Sequence, residues 1–222
     1  MNREAVRGLY AIADPDVIPA AQMLAQVRLA LRGGARVVQY RNKGRADDAR
    51  LAELRELREL CRACRVPLLI NDDVALAQAV DADGVHLGRD DTDVATARTL
   101  LGNGRLIGAS CYNDLRLAEE AQAQGADYVA FGSFHASPTK PDATRASPTL
   151  LVRARRQLDL PIVAIGGITP ENGALLIDAG ADALAVISGL FAQTDIVAAA
   201  LRYSRLFESS AVDAETLQED LT

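Results

Sequence analysis

The stretch LPIVAIGGITPEN (160–172) holds one unit of a repeating fold. An apolar run ends in two glycines, and Thr169-Pro170 then supply a helix N-cap and a first-turn proline. Six further apolar runs end the same way, in glycine or a polar cluster: ARVVQYRNK (35–43), VPLLINDD (66–73), DGVHLGRDD (83–91), RLIGAS (105–110), DYVAFGS (127–133) and ALAVISG (183–189). Burial as a strand explains each apolar run, but not why glycines and polar residues collect at its C-terminal end. In parallel α/β folds that end is where ligands bind. The repetition therefore predicts one site built from many strand ends.

Working outward, GLYAIAD (8–14) reads as a first strand and 20–32 as a helix closed by Gly33-Gly34. The other strands are predicted at 35–41, 67–71, 83–87, 105–109, 127–131, 161–165 and 182–187. Helical spacing fills the gaps at 45–64, 73–80, 93–101, 113–124 (Asn113 as N-cap), 149–157, 170–179 and 193–206. Leu51, Leu54, Leu57 and Leu60 recur at near-helical spacing among Arg and Glu, so RELREL is the solvated face of one such helix. Segment 133–148 has neither period and reads as a long loop, a candidate lid.

Strands alternating with helices in this number predict a single (β/α)8 TIM barrel over residues 1–206. An open doubly wound sheet is the alternative. Only closure brings the ends of strands two to eight around one mouth, so the barrel is favoured. Residues 207–222 are expected to be a flexible acidic tail.

Composition narrows the function. Hydrophobic residues make up 49% and aromatics 4%, with no Trp, so aliphatic side chains must fill the core. The net charge of −6 includes the five acids of ESSAVDAETLQEDLT (208–222); without them the body stands at −1. A nearly neutral body argues against a nucleic-acid surface. Cys61 and Cys64 form a lone C-x-x-C at the end of a helical run, without the second pair or histidines a zinc site wants; with Cys111 they are expected to be reduced thiols. The N-terminus MNREAVRGLYAIA has no signal-peptide core, and no apolar stretch reaches the ~18 residues of a membrane span. The expectation is a cytoplasmic protein acting on small molecules; a homo-oligomer stays open.

The strand ends carry a chemical pattern. The loops at Gly166-Gly167 and Ile187-Ser188-Gly189 are the recurring phosphate site of such barrels. Asp72 and Asp91, on neighbouring strand ends, suit one hard cation, since magnesium takes one or two carboxylates plus phosphates and water. Asp73 and Asp90 are expected to be solvated. Gln39, Arg41, Lys43, Asn71, Ser110 and Lys140 direct amides, a hydroxyl and cations at the same mouth, which predicts a second and larger anionic group. His86 reads as a core histidine bonded to backbone, and His135 as an exposed loop residue. There is no Ser-His-Asp or Cys-His arrangement.

In order and spacing, the motifs Gln39-Tyr40-Arg41-Asn42-Lys43, Asn71-Asp72, Gly84-Val85-His86-Leu87-Gly88, Ser110, Ser137-Pro138-Thr139-Lys140, Gly166-Gly167-Ile168 and Ile187-Ser188 resemble thiamine phosphate synthases over about residues 8–203. The resemblance implies a (β/α)8 barrel that joins hydroxymethylpyrimidine pyrophosphate to a thiazole phosphate, releasing pyrophosphate. It implies that Arg41, Lys43, Asn71 and Lys140 hold pyrophosphate, that Asp72 and Asp91 bind Mg²⁺, and that Ser110 lies near the reacting groups. Gln39 would contact the pyrimidine. Ser137 and Thr139 would line the thiazole-phosphate side, and Gly167, Ile187 and Ser188 would give its phosphate backbone contacts. Arg41, Lys43, Ser110 and Lys140 form the implied catalytic set. Arg89 stands where the family usually has Gln and is placed to pair with Asp90 or Asp91. Ser137 replaces a common Thr, and His135 is unusual in its loop.

Two other readings compete. A thiazole tautomerase would need an acid–base residue and no pyrophosphate pocket. A non-catalytic phosphate-binding protein would keep Gly167 and Ser188 but not the acids.

Overall fold

The computed structural model describes residues 6–44, 48–136 and 145–219. The strands are β1 (Gly8–Ala13), β2 (Ala35–Tyr40), β3 (Leu68–Asn71), β4 (Gly84–Leu87), β5 (Leu106–Tyr112), β6 (Tyr128–Phe131), β7 (Ile162–Ile165) and β8 (Ala183–Val186). The helices are α1 (Met23–Arg32), α2 (Asp48–Ala63), α3 (Val74–Ala79), α4 (Val94–Leu101), α5 (Leu115–Ala123), α6 (Pro148–Gln157), α7 (Pro170–Asp178), α8 (Ser188–Phe191) and α9 (Ile196–Glu219). Strands pair in chain order, all parallel, and β8 returns to β1 with Leu9 opposite Leu184, so the sheet is a closed barrel. The fold is the (β/α)8 barrel that the strand count leads to.

Several boundaries differ from the sequence reading. β5 runs on to Tyr112 through a register shift after Ser110, and Tyr112 turns the chain with a φ of +52°. The cap of α5 is therefore Asp114, whose carboxylate accepts from the Arg116 N–H at 2.9 Å, and not Asn113. Asp73 is half-buried and caps α3 by accepting from Leu76 N at 2.8 Å, rather than being solvated. A one-turn helix, α8, follows β8, and α9 continues past residue 206 to Glu219.

The core has two shells. Alternate strand residues point inward: Tyr10, Ile12, Val37, Leu69, Tyr128, Ala130, Val163, Ala183 and Ala185 pack together, with Val6 just ahead of β1. The others meet the helices, where Leu54, Leu57 and Leu68 are fully buried, each stabilising the fold by about 1.5–3 kcal/mol. Glycine makes the inner shell possible, because a Cβ on Gly108 would fall 2.0 Å from Cζ of Tyr128.

At the N-terminal end of the barrel one device recurs every second strand. Asp83, Asp127 and Asp182 immediately precede β4, β6 and β8. Each carboxylate accepts an N–H from the first or second residue of the preceding strand, from Leu68 (2.8 Å), Ile107 (2.7 Å) and Ile162 (2.7 Å). Each also pairs with an arginine from the helix before that strand: Arg58 of α2, Arg98 of α4 and Arg155 of α6. At β2 the corresponding turn is Gly33-Gly34, and Ser204 of α9 donates to the Gly33 carbonyl instead, at 3.0 Å. These clamps tie strand starts to helix ends on the face opposite the mouth.

Candidate active site

At the mouth, the end of β1 contributes Asp14, which is 1% exposed. Its carboxylate pairs with the Arg41 guanidinium at the end of β2. The Arg41 N–H also donates to Ala13 O at 2.9 Å, so backbone and side chain both lean on β1. Lys43 follows on an exposed loop. Gln39, 2% exposed, donates from Nε2 to Asn71 Oδ1 at 2.8 Å, which orients both amides across β2 and β3.

Asp72, directly after β3, sits in the left-handed region with φ +66°, and its N–H donates to His86 O at 2.9 Å. That turn swings its side chain to within hydrogen-bonding reach of Asp91. Burial, then the bond to Asp91 and that acid's charge, push the Asp72 carboxyl up to about 6, while Lys43 and Arg41 pull it down. Asp91 is fixed from its other side, because its Oδ2 accepts the Gly88 N–H at 2.7 Å. Two neighbouring carboxylates at adjoining strand ends are a donor set that suits one hard cation. Among the described residues no group of three or more His, Cys, Asp or Glu converges. Arg89 does not pair with Asp91. Its guanidinium lies 4.8 Å from the centre of the Tyr112 ring, which leaves the acids free of it.

Below the mouth runs a buried polar chain. Tyr10 and Tyr128 hydroxyls lie 2.8 Å apart, Tyr128 OH is 2.9 Å from His86 Nδ1, and His86 Nε2 is 2.9 Å from Ser110 Oγ. The His86 ring nitrogens thus meet side-chain hydroxyls, not the backbone the sequence reading assigned them. Desolvation raises both tyrosine pKa values, so these hydroxyls stay protonated.

The phosphate-type loops follow β7 and β8. Gly166 and Gly167 have φ of +105° and +59°; a Cβ on Gly167 would fall 2.3 Å from Ala136 O. Their carbonyls are taken by His135 N (3.0 Å) and Asn172 Nδ2 (3.1 Å). Thr169 caps α7, with Pro170 at its first turn. Ile187 and Ser188, both half-buried, stand beside this loop at the end of β8. Ser137, Thr139 and Lys140, and half of the candidate lid, lie outside the described residues. The chain thus brings Gln39, Arg41, Lys43, Asn71, Asp72, Asp91 and Ser110 to one end of the barrel, with Gly167, Ile187 and Ser188 on the β7–β8 side.

A family model described as thiamine monophosphate synthase matches residues 9–190. The chain belongs to that family. A thiamine-phosphate synthase from Azoarcus sp. (strain BH72) is 55% identical over 92% of this chain and 98% of its own length. One from Nitrosococcus oceani is 51% identical over 92% and 94%. Among solved structures, thiamine phosphate pyrophosphorylase from Pyrococcus furiosus superposes with a TM-score of 0.84 at 33% identity, covering 93% of this chain and 98% of its own. The activity of the chain is therefore thiamine phosphate synthesis, and it is a transferase.

Sequence reasoning missed Asp14, Tyr10, Tyr128 and Arg50. Asp14 had a readable signal, because GLYAIAD also ends an apolar run in a polar residue. The tyrosines look like core, and only their hydrogen bonds distinguish them. Arg50 is one arginine among many on a charged helix, and nothing in its spacing marks it. Cys61 and Cys111 are buried, which pushes both thiols up to about 12.

Proposed function

We propose that the mouth joins hydroxymethylpyrimidine pyrophosphate to a thiazole phosphate by a leaving-group-first substitution. The C–O bond to pyrophosphate breaks, and the electron pair leaves with pyrophosphate. The thiazole ring nitrogen then donates its lone pair to the pyrimidine methylene carbon, giving thiamine phosphate. The nucleophile carries no proton, so the site has no need of a general base.

The observation that carries this reading is the Asp72–Asp91 carboxyl pair within electrostatic reach of Arg41 and Lys43 at adjoining strand ends. Asp72 and Asp91 would hold Mg²⁺, which supplies charge neutralisation to the departing pyrophosphate. Arg41, Lys43, Asn71 and Lys140 would bind the same group. Preorganised cations and amides of this kind help most when charge develops on the leaving group. Asp14 would keep the Arg41 fork aimed before substrate arrives. Gln39, oriented by Asn71, would meet the pyrimidine. Ser110, held by His86, would lie beside the reacting carbon. Ser137 and Thr139 would line the thiazole side, and Gly167, Ile187 and Ser188 would take its phosphate on backbone N–H groups.

The test is product analysis of purified protein supplied with both substrates, with and without Mg²⁺. We expect pyrophosphate and thiamine phosphate in equal amounts, with Mg²⁺ only, and at least ~100-fold less from Asp72→Ala. Equal turnover in chelator, or full activity in Asp72→Ala, would sink the metal assignment. A folded protein that yields neither product would sink the reaction.

A further inference from the structure

Arg50 opens α2 on the outer side of the barrel, yet it is only 8% exposed. A buried arginine needs partners. Its Nη1 donates to Gly44 O at 2.5 Å and its Nη2 to Asn42 O at 2.8 Å. Its guanidinium carbon lies 5.5 Å from the centre of the Tyr40 ring. The same loop is knotted by Asn42, whose Oδ1 accepts Gly44 N at 2.8 Å and whose Nδ2 donates to Tyr40 OH at 3.1 Å.

The two carbonyls that Arg50 binds flank Lys43, and the chain just before them carries Arg41. Carbonyl oxygens are partially negative, so two of them turned toward a polyanion would repel it. Arg50 draws both away and fixes the backbone of Lys43 on either side. Lys43 is long and exposed, and anchoring its backbone reduces the conformational freedom lost when it grips a ligand.

We infer that Arg50 is a positioning residue for the pyrophosphate-binding loop, acting on the pyrimidine substrate alone. It touches no substrate itself. The role rests on the pyrophosphate reading above. Lysine cannot replace it, because one ammonium cannot bond two separated carbonyls and also lie flat over a ring.

The test is steady-state kinetics of Arg50→Lys, with binding of inorganic pyrophosphate in saturating Mg²⁺ measured by calorimetry. We expect KM for the pyrimidine pyrophosphate and Kd for inorganic pyrophosphate to rise together, about 10-fold or more, with KM for the thiazole phosphate unchanged. Asn42→Ala, which unties the same loop without removing Arg50, should shift the same two constants by a smaller factor. If Arg50→Lys does not fold, Asn42→Ala decides by the same readings. Unchanged pyrophosphate binding, or equal rises in both KM values, would overturn the role while wild-type turnover leaves the reaction standing. A wild-type protein that releases no pyrophosphate would instead overturn the reaction itself.

Discussion

His86 bonds Ser110 through Nε2 at 2.9 Å while its Nδ1 is held at 2.9 Å by Tyr128, so a residue at the mouth is positioned from the middle of the barrel. The chain ends on Tyr10, 2.8 Å further on. A buried network of this kind is stable only when every member is satisfied.

That relationship separates two conservative variants. Tyr128→Phe removes the hydroxyl between Tyr10 and His86 and leaves both without that partner. We expect a loss of about 1–3 kcal/mol in stability and a lower kcat, because Ser110 loses its fixed neighbour. Tyr10→Phe leaves the His86 bond to Tyr128 in place and should cost stability with a much smaller change in kcat. Denaturant melts and initial rates of both variants check this. Equal effects on kcat would mean that His86 does not transmit the position of Tyr128.

The acid pair sets a pH dependence. The folded Asp72 carboxyl is raised to about 6, first by burial and then by Asp91. Its protonated form therefore favours the folded state, fully below about pH 4, the ordinary carboxylate range, and that contribution is lost as pH rises through about 6. In chelator, the wild-type Tm should fall across this window relative to Asp72→Asn, which has no proton to lose. Asp72→Asn should then be the more stable protein at neutral pH, yet inactive. Thermal melts from acid to neutral pH test it, and parallel curves for the two proteins would show that Asp72 is not raised.

Gly88 gives a more local test of Asp91. A Cβ there would lie 2.9 Å from Asp91 Oδ2, the oxygen that accepts the Gly88 N–H. Gly88→Ala should push the carboxylate aside and raise the Mg²⁺ concentration needed for half-maximal activity by about 10-fold. At saturating Mg²⁺ the rate should largely recover. An unchanged Mg²⁺ requirement would remove Asp91 from the metal site.

The opposite face should behave differently. Asp127→Ala leaves the Ile107 N–H and the Arg98 guanidinium without this carboxylate. We expect a cost of about 1–3 kcal/mol in stability and unchanged kinetic constants in the folded protein. A change in KM would mean that the strand starts communicate with the mouth.

The barrel was legible because burial on both faces writes each strand as an apolar run, and because parallel closure collects strand ends. ARVVQYRNK and LPIVAIGGI each show both features within nine residues. Helix ends were less so: the cap of α5 moved from Asn113 to Asp114 because a register shift lengthened β5, and tertiary pairing, not local propensity, sets that. The polar ends pointed to Gln39, Arg41, Asn71, Asp72 and Asp91 because a charge or amide at the end of a buried strand has little reason to be there except the mouth. Tyr10, Tyr128 and Arg50 left no such mark. A tyrosine in a strand and an arginine on a helix are ordinary residues until their partners, far away in sequence, are known.

Asp72 and Asp91 would bind pyrophosphate through Mg²⁺ beside Arg41 and Lys43. Calorimetric titration of inorganic pyrophosphate, with and without Mg²⁺, into wild type, Asp72→Asn and Asp127→Ala tests it most directly. We expect binding that requires Mg²⁺, is lost in Asp72→Asn and is retained in Asp127→Ala. Equal pyrophosphate affinity in chelator, or wild-type affinity in Asp72→Asn, would contradict it.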